Sequence, residues 1–314
     1  MLLGNYSLTV LAITLQLTIR NDDNDDMNMK WTCCLCTVGR VVHTLPEGET
    51  VWGVTLLADE VYVLRRKVDF HSQLDVKVEV YDVINYLLQR RLPVPSTFGL
   101  TDMTSCEHYM FVYIADCNDK CIHRLDVQGA ATRWAVNDKP QGLSVNSAHN
   151  VLVTCRDVRK IKEFSSHGDL LRELTLLADV INPSHAIQTC NGEFIVCHGD
   201  LGDAVRRVCK ISADGRHVIK SHGGLLGADI GHYDMPRHLA VDNNEFVFVA
   251  DVTNRRVTLL SPTLDYIRQV VSPDDLKWMP NRLCLDIRRR RLYVTDNDKR
   301  EFFPKTGRVV VFSV

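Results

Sequence analysis

The sequence carries almost no net charge: 37 Lys and Arg stand against 39 Asp and Glu, a balance of -2. A chain so balanced has no global field to gather nucleic acid or an anionic membrane, so either contact would need a local patch. Proline (10) and glycine (17) are too scarce for a collagen or a Pro/Gly-rich low-complexity chain. Long apolar runs are also missing, apart from residues 2–19. That run is interrupted by Asn5, Ser7, Thr9, Thr14, Gln16 and Thr18. It lacks the basic start and small-residue cleavage pattern of a secretory signal, and is too polar for a membrane span. The expected compartment is the cytoplasm, with no membrane contact; secretion or membrane targeting through residues 1–20 is the alternative.

Paired cysteines are missing too. The 11 Cys are odd in number and scattered, which fits a reducing compartment better than a disulfide framework. Cys33, Cys34 and Cys36 cluster, but no second ligand pair follows, so no metal is expected there. Gly223-Gly224-Leu225-Leu226-Gly227 lacks the lysine of a phosphate-binding loop, and no G-x-S-x-G elbow occurs.

What is present is a repeat. A short approach ending in an apolar residue recurs: Trp52-Gly53-Val54, Phe98-Gly99-Leu100, Gln141-Gly142-Leu143, Ser184-His185-Ala186, Arg237-His238-Leu239 and Asn281-Arg282-Leu283. The period is about 43 residues, within the range of propeller blades. Each copy continues into a β-branched or aromatic run, such as Phe246-Val247-Phe248-Val249, that suits a sheet buried on both faces. Asp or Asn usually closes that run, as at Asp116, Asp157, Asp200, Asp251 and Asp296, where such residues favour turns. Two further strands complete the unit.

The expected fold is therefore all-β: a six-bladed β-propeller of four-stranded antiparallel blades. The last unit stops one strand short at Val314. The segment from Val38 to Thr44 has the length to supply it, so an N-terminal strand is expected to complete the last blade and remove two open edges. The domain reading is a partly disordered extension over residues 1–36, with its acidic linker at Asp22, Asp23, Asp25 and Asp26, and a propeller over residues 37–314.

Met235-Pro236-Arg237-His238-Leu239-Ala240-Val241-Asp242, with Phe246 to Asp251 and Asn254-Arg255-Arg256-Val257 after it, resembles an NHL repeat. Pro280 to Asp286 with Leu292 to Asn297 is the next best copy. The resemblance is to the six-bladed NHL propellers of tripartite-motif proteins. It covers about residues 38–314 and is weak in the first copy, where Arg65–Lys67 and Phe70–Leu74 read as an enlarged loop. It is also weak in the fourth, where residues 221–233 read as a Gly-rich insertion. It implies a recognition module for a protein or for single-stranded RNA. The RING and B-box fingers that often precede such propellers are not found in the sequence.

A binding site is expected on the face that carries the loops between second and third strands and those between blades. Candidate contacts there are Trp52, Arg66, Phe98, Arg159, Arg207, Arg237, Arg256, Asn281 and Arg300. A protein or peptide is the first expectation for the partner. Single-stranded RNA is the alternative, since a basic ring with aromatics suits phosphates and bases. The propeller is expected to be monomeric, without a cofactor and not an enzyme. The enzymatic alternative is a calcium-dependent lactonase or esterase using Asn182, Asn281, Asp242 or Asp286. Against it, Asp242 and Asp286 read as turn residues and Arg237 would oppose a cation. His185 and His238 share one repeat position and read as packing at the start of a strand. Arg288 to Arg291 reads as a solvated turn on the opposite face.

Overall fold

A computed structural model describes residues 39–67, 75–95, 99–224, 226–298 and 306–314. It contains six sheets of four strands, each antiparallel throughout, and no helix among the described residues. Blade 1 holds β2 (Thr50–Leu57), β3 (Glu60–Lys67), β4 (Asp75–Asp82) and β5 (Leu88–Pro93). Blade 2 holds β6 (Leu100–Cys106), β7 (Phe111–Asp116), β8 (Cys121–Asp126) and β9 (Ala131–Ala135). Blade 3 holds β10 (Gly142–Val145), β11 (Val151–Cys155), β12 (Lys160–Phe164) and β13 (Leu170–Thr175). Blade 4 holds β14 (His185–Gln188), β15 (Phe194–His198), β16 (Arg206–Ile211) and β17 (Val218–Gly224). Blade 5 holds β18 (Pro236–Val241), β19 (Val247–Asp251), β20 (Arg256–Leu260) and β21 (Tyr266–Val271).

Blade 6 is built from both ends of the described chain. Its order is β1 (Arg40–Thr44), β24 (Gly307–Ser313), β23 (Arg291–Asn297) and β22 (Met279–Asp286). Val41 faces Phe312 and Thr44 faces Val310 across the seam. This is the closure expected from the missing fourth strand.

Among the described residues there is no single central core. Six apolar clusters fill the six gaps between neighbouring blades. The alternation of strand side chains explains this: one set faces the preceding blade and the other the following blade. In β23, Leu292 and Val294 pack toward blade 5, while Tyr293 packs toward blade 1. A blade on its own would leave both faces in water, so the ring is the folding unit.

Two expectations about loops need correction. Arg65 and Arg66 are not in an enlarged loop; they lie in β3, opposite Lys77 and Val76 of β4. Residues 70–74 lie outside the described residues. The insertion at residues 221–233 begins as strand, because β17 runs to Gly224 and pairs it with Arg206.

Blade 6 is also fastened to blade 1 by one side chain. Asn297 Oδ1 accepts from Val51 N at 3.0 Å and its Nδ2 donates to Val51 O at 2.7 Å. Asn297 is 1% exposed, so both Val51 groups would be orphaned without it. Asn297→Ala is expected to lower unfolding free energy by about 2–4 kcal/mol, read as a lower urea midpoint with an unchanged slope.

Candidate functional site

The innermost strand of each blade carries one residue per blade into the channel. Strand register identifies it: Gly53 faces Leu64, Asp102 faces Ala115, Gly142 faces Thr154, His185 faces Cys197 and His238 faces Ala250. Arg282 completes the tier, its N–H bonded to Thr295 Oγ1 at 2.8 Å. The tier reads Gly, Asp, Gly, His, His, Arg. The two glycines permit close approach. A Cβ on Gly53 would fall 2.5 Å from Met103 Cβ, and one on Gly142 would fall 2.4 Å from Ser184 O.

The three other side chains of the tier converge on Asp102. Arg282 Nε lies 2.8 Å from its Oδ1. His238 Nε2 lies 3.5 Å from Oδ2, and His185 Nε2 lies 4.0 Å from it. Leu143 N donates to Oδ2 at 2.8 Å. Arg282 also reaches across the channel to Thr101 O. The two imidazoles stack with centroids 3.8 Å apart. All four side chains are buried. Burial alone would raise the Asp102 carboxyl, but Arg282 first, then His238, outweigh it and hold the group well below the usual carboxylate range. Burial, followed by His238, pushes His185 down to about 3.

Asp102, His185 and His238 are the described residues whose ligand atoms come close enough to share a metal ion. The hydrogen bonds restrict that use. Leu283 N approaches His238 Nδ1 at 3.3 Å, which leaves the proton on Nε2, facing Asp102. His185 Nε2 lies 2.9 Å from Leu143 O, so it carries a proton too. Arg282 supplies the positive charge that a cation would bring. The cluster as built is a proton-bearing ionic lock; a metal would have to displace Arg282 and reset both tautomers.

One tier above lie Trp52, Thr101, Gln141, Ser184, Arg237 and Asn281. Four of them, Trp52, Thr101, Arg237 and Asn281, sit at register shifts in β2, β6, β18 and β22, where a bulge re-aims a side chain. The mouth residue of blade 2 is thus Thr101 and not Phe98, because Met103, and not Leu100, is the counterpart of Val54 and Leu143. Phe98 and Arg300 lie outside the described residues.

The other expected contacts are found at strand ends around the mouth, mostly holding the protein's own groups. Arg66 lies 4.0 Å over the Trp52 ring and is buried. Arg159 donates to Ala178 O at 3.1 Å. Arg207 pairs with Asp179 at 2.6 Å and donates to His198 Nε2 at 3.0 Å. Arg256 pairs with Asp251 at 2.9 Å and donates to His232 O. Asn281 is buried and accepts from Arg282. Reversing Arg256 would set two carboxylates together in the interior and unfold the blade, so that substitution does not isolate partner contact. Arg237 differs. Its side chain is 17% exposed and its ion contact, with Asp200, is long at 3.9 Å. Its Nε has no hydrogen-bond partner. Burial, then Arg282, pushes its pKa down to about 10.

The calcium-ligand alternative does not gather. Asp242 accepts from Asn244 N and Phe246 N within a turn, and Asp286 accepts from Arg289 N within another. Both are at the opposite face from Asn182 and Asn281. Asn182 binds Asp203 at 2.8 Å. Arg288 and Arg289 pair with Glu107 and Asp59 in that opposite-face turn.

No family model matches the chain, and no curated protein matches it. Solved structures do. A protein of unknown function from Bacteroides thetaiotaomicron aligns at 12% identity over 87% of this chain and 72% of its own, with TM-score 0.61. Virginiamycin B lyase from Staphylococcus aureus aligns at 12% identity over 79% and 80%, with TM-score 0.53. A streptogramin B lyase aligns at 10% identity over 84% and 94%, with TM-score 0.56. These likenesses establish the class, a six-bladed β-propeller, and nothing narrower. They also correct the expectation that the chain is not an enzyme. That expectation rested on architecture, and two of these neighbours are lyases on the same architecture, so the fold does not exclude catalysis.

The buried histidines predict a pH dependence. His185 and His198 are held neutral, at about 3 and about 4, chiefly by burial. Each binds its proton more weakly folded than unfolded, where the value is near 6.5. Stability is therefore full above about pH 6.5 and falls as pH drops toward 4, by up to about 1.4 kcal/mol per pH unit for each such histidine. Urea midpoints from pH 7.5 to 4 measure the slope, and His185→Phe should flatten it. Asp102→Asn leaves the Arg282 charge buried and is expected to cost about 3–5 kcal/mol at pH 7.

Proposed function

We propose that this propeller binds a protein or peptide at the channel mouth of the loop face, with an acidic group of the partner seated on Arg237. The observation that carries this reading is the loose engagement of Arg237. A half-buried guanidinium with one ion contact at 3.9 Å and an unpartnered Nε is costly to keep unless something else completes it. A carboxylate matches its planar fork of donors. Ser184, Asn182, Gly199, Asp200 and Pro236 pack around the Arg237 side chain.

The resemblance of blades 5 and 6 to NHL repeats belongs to this proposal, since it implies a recognition module. The single-stranded RNA reading has less support. The Trp52 ring is already covered by Arg66, and Arg207 and Arg256 are already paired with carboxylates. Base stacking and phosphate tracking both need such groups open.

Displayed random peptides panned on the full chain test the reading, with a single-stranded RNA pool in parallel. Acidic peptides should be enriched, and Arg237→Ala should weaken their binding at least tenfold. The same substitution should leave the thermal midpoint unchanged or raised, because it removes a poorly satisfied buried charge. Retention of RNA in place of peptide, or equal peptide binding by Arg237→Ala, would refute it.

A further inference from the structure

At the turn face, the packed gap between blades 5 and 6 ends in an open cleft. Phe246 and Phe248 of blade 5, Leu285 and Ile287 of blade 6, and the final residue Val314 wall this apolar cleft, which is open to solvent. Phe248, Leu259 and Arg268 form one row across blade 5, by strand register. Arg268 and Arg290 also line the cleft, which disfavours a basic occupant.

The described chain begins at this cleft. Gly39 N donates to Val270 O at 3.0 Å, and Val270 lies two residues along β21 from Arg268. Arg40 pairs with Ser313, next to Val314. A Cβ on Gly39 would fall 2.6 Å from Val270 O, so the backbone passes through a slot that only glycine fits. The residues just before it are Trp31-Thr32-Cys33-Cys34-Leu35-Cys36-Thr37-Val38, apolar and without a charge. Leu35 is four residues away, a reach of about 13 Å in extended chain, and Trp31 is eight away, about 27 Å.

We propose that residues 31–38 of this same chain dock into the cleft between blades 5 and 6, seating Leu35 and Trp31 against Phe248, Leu285 and Ile287. The segment is tethered at the rim, so its effective concentration there is high and modest apolar burial suffices to hold it. This assigns the uncharged cysteine-rich stretch a packing role, independent of the channel mouth.

Tryptophan emission of the full chain tests the proposal. Subtracting the spectrum of Trp31→Phe isolates Trp31. Its emission should be blue-shifted, and its quenching by acrylamide at least threefold weaker than that of free tryptophan. Ile287→Arg should restore solvent-like emission and quenching. Leu35→Arg places the charge on the segment instead, and should do the same even if the cleft variant folds poorly. Solvent-like quenching of Trp31 in the unaltered chain would overturn the proposal. So would quenching that neither arginine substitution changes, or protection that grows with protein concentration, which would mean a second copy fills the cleft.

Discussion

The Asp102 carboxylate is the point on which the inner ring depends. Its own blade is the second, and it holds groups from four others: Leu143 N of blade 3, His185 of blade 4, His238 of blade 5 and Arg282 of blade 6. Blades 2 and 5 stand on opposite sides of the axis, so this is a contact across the channel and not between neighbours. Apolar packing between adjacent blades fixes each pairwise angle but has no direct hold on the ring as a whole. A charge at the axis does, because its desolvation is offset only when all its partners are in place. The glycines at Gly53 and Gly142 belong to the same device. They let the inner strands of blades 1 and 3 come close enough for the other four side chains to meet.

A second constraint acts where each middle strand ends. In blades 5 and 6 a buried aspartate accepts backbone N–H groups of the approaching inter-blade chain: Asp251 from Asp234 N, Asp296 from Lys277 N and Trp278 N. Arg256 and Arg308 neutralise them. Blade 1 carries the opposite polarity at the equivalent place. Arg65, buried against Glu79, donates to the carbonyls of Pro46, Glu49 and Gly307. The approaching chain offers carbonyls there, so a donor replaces the acceptor. The repeat conserves satisfaction of the backbone, not the identity of the residue.

This explains what could be read in the sequence. The blade count, the strand order and the N-terminal closure were legible, because alternating apolar runs and turn residues recur at a nearly fixed period. The lock was not. In blade 2 the approach was aligned on Gly99-Leu100, three residues before Asp102-Met103, so the acid fell out of the column that already held His185, His238 and Arg282. The signal existed: a residue of any polarity placed immediately before the apolar residue that opens each inner strand. Read in that column, an Asp, two His and an Arg on six strands that share one axis amount to a charge cluster. Arg65 and Arg66 misled for the opposite reason. Charge suggested a loop, whereas buried partners made them strand residues.

The arginines differ in how fully the fold satisfies them. Arg65, Arg206, Arg255 and Arg256 each close several bonds to carbonyls or carboxylates, and each is held by parts of the chain distant in sequence. Local choice and global fold agree at those positions. At Arg237 they do not agree. The bulge in β18 turns the guanidinium toward the channel mouth, beside Arg282 and Arg156, where both repel it and Asp200 is too distant to compensate fully. Nothing in the packing of blade 5 needs a cation there, since Trp52, Thr101 and Ser184 fill the same tier in other blades. A position whose occupant weakens the fold is one where an outside ligand has much to contribute.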